Sequence, residues 1–65
     1  MKVKYFKDTD TLYIEFRADD IEEFRDLDVN TIMDLDGAGI VCGITFEHAS
    51  SRTDMQQVTL ERIAA

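Results

Sequence analysis

Residues 29–46 constrain this chain more than any other stretch, because they read as two apolar strands joined by a glycine-containing turn. Val29, Met33 and Leu35 share one parity on the first arm, and Ile40, Cys42, Ile44 and Phe46 share one on the second. Side chains alternate across a strand, so each arm can turn its apolar set toward a single face. Asp36-Gly37-Ala38-Gly39 is the expected hinge, since glycine adopts positive φ at little steric cost. The other segments are expected to pack around this hairpin.

The flanking segments extend the same pattern. Val3 and Tyr5 alternate with Lys2, Lys4 and Phe6, which predicts a short first strand, and Lys7-Asp8-Thr9-Asp10 reads as a turn. From Thr11 to Phe16 the alternation is cleanest, with Leu12, Ile14 and Phe16 on one side and Thr11, Tyr13 and Glu15 on the other. Residues 17–20 form the next expected turn. Residues 21–28 also satisfy a helical spacing of three, but short turns on both sides leave a run of strand length. An edge strand is preferred there, because its charges would discourage edge-to-edge association.

Beyond Glu47 the character changes. Ser51 followed by Asp54, and Thr53 followed by Gln56, resemble the starts of capped helices, with Met55, Val58, Thr59, Arg62 and Ile63 on one face. Val58 and Leu60 also alternate as in a strand. The chain has no proline, repeat or low-complexity tract, so residues 1–65 are read as one domain with a helical tail over 51–65. The expected fold is α+β: an antiparallel β-meander of about five strands with a C-terminal helix packed on one face, since a small sheet needs cover.

Several of these residues together resemble a family of short prokaryotic proteins, domain-of-unknown-function family 2283. The resemblance rests on Val3-x-Tyr5, Asp10-x-Leu12-Tyr13-Ile14, Ile32-x-Asp34-Leu35-Asp36 and Gly39-x-Val41-x-Gly43-Ile44 leading to Ala49-Ser50. It covers about the first fifty residues and implies a small β-rich domain ending in a helix. The family brings no accepted activity and no catalytic residue. Its members are sometimes encoded beside compact toxin-like proteins, which implies an antitoxin or partner-binding role. The tail from Thr53 to Ala65 departs from the family pattern, which is shorter and often contains proline.

Charge narrows the partners. Fourteen acidic residues against seven basic ones give a net charge of -7, which disfavours direct binding of nucleic acid. A basic protein surface is the natural counterpart, and the acidic run containing Glu22, Glu23 and Asp26 is the candidate to meet it. No apolar run approaches the roughly 20 residues that span a bilayer, and the N-terminus lacks the apolar stretch of a signal peptide, so a cytoplasmic location is expected. Cys42 is the only cysteine, so no disulfide can form within the chain. A domain of this size buries only about 60% of its unfolded surface, which makes self-association an obvious further source of stability.

Motifs with chemical potential fail on inspection. A calcium loop begun at Asp34 would place Ala38 and Thr45 where oxygen ligands are needed. Gly37-x-Gly39 lacks the third glycine of a dinucleotide fingerprint and precedes a strand rather than a helix. Cys42 and His48 have no second cysteine or histidine for a zinc site, and Cys42 shares its parity with apolar neighbours. No catalytic residue, metal or cofactor is therefore expected. Phe6, Tyr13, Ile32 and Val41 have the parity opposite to the presumed core, and an apolar patch left exposed there would mark an interface. The expected function is a non-enzymatic, antitoxin-like binding module, acting as a homodimer or on a dedicated basic partner. The alternative is a small oligomeric enzyme whose site, drawing on Tyr13, His48 or Cys42, forms only between subunits.

Overall fold

A computed structural model describes residues 1–57, 59, 61 and 62. Five strands, β1 (Lys2–Phe6), β2 (Thr11–Glu15), β3 (Glu23–Asp28), β4 (Thr31–Leu35) and β5 (Val41–Glu47), form one antiparallel sheet, followed by a 3-10 turn at Ala49–Ser51. The strands lie where they are expected, and residues 21–28, which also fit a helical spacing, contain strand β3. Their order does not follow the chain: it is β1-β2-β5-β4-β3.

The expected meander is thus corrected. Only β3, β4 and β5 follow one another; β2 pairs with β5, setting Leu12 against Phe46 and Ile14 against Ile44. The reason lies in what each strand can bury. β5 is the longest strand and carries Cys42, Ile44 and Phe46, so it suits the centre, whereas β3 is charged and exposed along its whole length and suits only an edge. Residues 16–22 are consequently a strap across the end of the sheet rather than a tight turn. The Phe16 and Arg17 amides donate to the Cys42 carbonyl (2.7 and 3.2 Å), and the Glu22 amide donates to the Leu35 carbonyl (2.9 Å).

The C-terminal helix is also corrected: the described residues contain no α-helix, only the 3-10 turn. The residues read as helix caps bond locally instead. The Ser51 hydroxyl donates to the His48 carbonyl (2.9 Å), and Asp54 accepts the Gln56 amide (2.9 Å), closing small turns that compete with helix continuation. Within the tail, residues 58, 60 and 63–65 lie outside the described residues. The protein is therefore a β-sheet without a helical layer among its described residues.

Register assigns the faces. Val3, Tyr5, Leu12, Ile14, Ile44, Phe46 and Met33 share one face, here called the apolar face, and Lys4, Tyr13, Thr45, Ile32, Asp34 and Asp26 share the other. The buried set is small: Leu35, Cys42 and Ala49 among apolar residues, Thr31 and Asp34 among polar ones. The molecule is a slab of 36 × 34 × 18 Å.

Asp10 clasps one end of that slab. Its carboxylate accepts the Tyr5 hydroxyl, the Ser50 amide (3.0 Å) and the Ser50 hydroxyl (2.7 Å), while its carbonyl accepts the Ala49 amide (2.9 Å). Asp10 holds a left-handed backbone at φ 53°, which aspartate tolerates better than most side chains. Arg52 completes the clasp on the other side. It donates to the carbonyls of Asn30 (2.8 Å) and Glu47 (3.2 Å) and to the Thr31 hydroxyl (2.7 Å), with its guanidinium 5.2 Å from the Phe46 ring centre.

The clasp has a pH signature. The Tyr5 hydroxyl, then Ser50, hold the Asp10 carboxyl below the usual carboxylate range, and the Asn30 amide, then Thr31, do the same for Asp28. A depressed folded pKa lends stability that is present above the unfolded value of about 3.9 and is lost as the pH falls through the folded value. Urea unfolding should therefore show the midpoint dropping below about pH 4. Asp10→Ala should lower the midpoint at pH 7 and flatten that acid limb. An acid limb equally steep in the variant would count against the clasp.

Candidate functional site

The most built polar feature of the sheet spans three strands. Tyr13 on β2 leans across β5 and donates its hydroxyl to Asp34 Oδ2 on β4 at 3.1 Å. It can do so because the residue beneath it is Gly43: a Cβ there would lie 2.6 Å from the Tyr13 oxygen and about 3.0 Å from the ring. Asp34 is directly opposite Gly43 in the ladder and is only 7% exposed. Burial, then the Asp34 bond, push the Tyr13 phenol above its ordinary pKa, so it stays protonated and donates. The arrangement is a hydrogen-bonded cover over a buried carboxylate.

Sequence reasoning singled out Tyr13, but missed its link to Asp34 through Gly43. The available signal was the glycine itself. An isolated glycine inside a strand pattern marks a close approach by another group.

The remaining candidates are dispersed. Tyr13, Ile32 and Asp26 fall on one row, since Tyr13 is opposite Thr45, Thr45 opposite Ile32, and Ile32 opposite Asp26. Phe6 shares their face but sits on edge strand β1, exposed, in another row. Val41 is half-buried at a register shift opposite Leu35, so simple parity does not carry through to it. Glu22 ends the strap, and Glu23 and Asp26 lie on β3; all three are exposed. They line one margin of the sheet, with Glu23 bound to Arg25 at 2.8 Å.

Tyr13, Cys42 and His48 are not brought together within one chain. Cys42 lies near the start of β5 and His48 just past its end, on the order of 20 Å apart at strand rise. His48 is exposed and left-handed at φ 55°, where the chain turns into the 3-10 segment. Cys42 is buried; burial first, then the charges of Asp36 and Asp19, raise its thiol pKa, which disfavours a reactive thiolate.

Asp19, Asp36 and Cys42 do place ligand-type atoms within 4.8 Å of one another. Each already has a protein partner. Asp36 Oδ1 accepts the Ala38 and Ile40 amides (both 2.9 Å), Asp19 pairs with Arg17 (2.6 Å), and the Cys42 thiol points to the Ile40 carbonyl (3.5 Å). On the apolar face, an open groove of about 350 Å³ runs between Val3, Tyr5, Leu12 and Ile14 of the sheet and Thr53, Asp54, Met55 and Gln57 of the tail.

Comparison with known proteins gives one match. A family model described as "Protein of unknown function (DUF2283)" matches residues 2–50, a span that contains Asp10, Tyr13, Asp34, Gly43 and Ser50. No curated protein and no solved structure matches the chain.

Gly43→Ala should force the Tyr13 ring off its strand and open Asp34 to water, destabilising the protein by about 1–3 kcal/mol as overpacking does. Adding Tyr13→Ala should recover part of that loss, because the obstructing ring is gone. Chemical denaturation of the two single variants and the double variant checks this, and strictly additive losses would refute the contact.

Proposed function

We propose that this chain, which belongs to the DUF2283 family of proteins of unknown function, is a non-enzymatic protein-binding module. The observation that carries this reading is the acidic margin. All six residues of β3 are exposed, the strand's outer edge has no neighbouring strand among the described residues, and the strap leading into it adds Asp19, Asp20 and Glu22. Opposite charge steers a partner to such a surface and aligns it there, more than it adds raw affinity. The partner is therefore a basic protein, held in a salt-dependent way, and occlusion of that partner's surface is an antitoxin-like role.

The alternative of an enzyme assembled between subunits has less support. Tyr13 is engaged with Asp34, Cys42 is buried with a raised pKa, and His48 stands alone at the far end of β5.

Affinity capture from the native host tests the proposal. A basic protein should be retained at low salt and released by about 0.5 M salt, where screening falls to a few ångströms. The variant Glu22→Lys/Glu23→Lys/Asp26→Lys, verified as folded by circular dichroism, should lose it at least 10-fold. Retention that ignores both salt and charge reversal would refute an electrostatic binding margin.

A further inference from the structure

We infer that a second copy of this chain packs on the apolar face, sheet against sheet, giving a two-layer homodimer that leaves both acidic margins free. The inference rests on the binding-module reading and adds the identity of the partner on this face. Area is the first argument. The chain exposes 5262 Å², whereas a compact monomer of 7.5 kDa is expected to expose about 4,200 Å². The excess, roughly 1,000 Å² summed over the whole chain, leaves room for the ~800 Å² that each partner contributes to a standard interface. Shape agrees: the radius of gyration is 13.0 Å, against about 11 Å for a compact chain of this length.

Chemistry selects the face. Leu12, Ile14, Met33, Ile44 and Phe46 are only half-buried there, although register makes them the natural interior of the sheet. The charged pair on this face, Glu23 and Arg25, lies at the β3 edge and is internally neutralised. Arg52, over the Phe46 ring, and Asp54, beside Val3, Tyr5, Leu12 and Ile14, add one charge of each sign from the tail, so two copies of a -7 chain can meet here without a net like charge on this face. The opposite face carries Lys4, Glu15, Asp26 and Glu47 among its apolar residues and suits solvent better. A two-fold axis makes any apolar patch self-complementary in chemistry, and sheets stack about 10 Å apart with their inner side chains interdigitated. A second copy is also the one partner present whenever the chain is made.

Sedimentation equilibrium of the full chain at micromolar concentration should return twice the 7.5 kDa chain mass. Ile44→Asp should weaken the dimer at least 100-fold, and Phe6→Asp, on the other face, should leave it unchanged. Should Ile44→Asp fail to fold, the wild-type chain still decides. In a mixed isotope-labelled and unlabelled sample, intermolecular nuclear Overhauser contacts are expected among the Ile14, Met33 and Ile44 methyls. A folded wild-type monomer, intermolecular contacts confined to Phe6 and Ile32, or a face covered intramolecularly by the chain's own tail would each overturn the inference. The mass and methyl contacts are read on chains that keep Glu23, which lies on this face and is changed only in the capture variant, so the dimer can fail while the acidic margin still binds, and the reverse.

Discussion

Everything in this sheet depends on β5 lying between β2 and β4. The β1–β2 hairpin and the β3–β4–β5 meander are each assembled from neighbours in sequence, and the two-stranded hairpin alone is marginal in water. The β2–β5 pairing is the single long-range seam that makes them one structure. It sets Ile14 against Ile44, carries Tyr13 within reach of Asp34, and brings Asp10 to the end of the sheet where Ala49 and Ser50 can dock.

Much of this was legible in the residues. Period-two alternation located four of the strands and run length the fifth, β3, and the turn at residues 36–40 forms where glycines and Asp36 predicted it, with Asp36 bonded to two amides of the loop. Strand order was not legible, because alternation records which face a side chain takes and says nothing of which neighbour its backbone finds. Ile40 and Val29 illustrate a further limit: both have core parity, yet they sit in turns and stand 46% and 89% exposed. The tail misled for a different reason. Ser51 and Asp54 serve a helix start only if a helix follows; otherwise the same oxygens close isolated turns, as they do here.

The candidate site was legible only in pieces. Tyr13, Asp34 and Gly43 all stand in the family pattern, but one parity rule cannot reveal that a side chain on β2 crosses β5. That contact exists because Gly43 offers no side chain, an argument about vacant space rather than periodicity. The buried core is correspondingly slight. Among the described residues, Leu35 is the one large aliphatic side chain almost wholly enclosed, worth about 1.5–3 kcal/mol, and polar ties at the Asp10 and Arg52 clasp supplement it.

The long-range seam also sets a schedule for the emerging polypeptide. When Glu15 leaves the ribosome, the partner for β2 is still about 26 residues from being made, which is one to five seconds at ordinary translation speed of about 5–20 residues per second. For that interval the first hairpin waits with one flank open, and the three-strand meander cannot close over it until Glu47 is out. Solubility during synthesis therefore falls to the N-terminal lysines and the acids of the strap, which are translated early and keep nascent chains apart before any sheet exists.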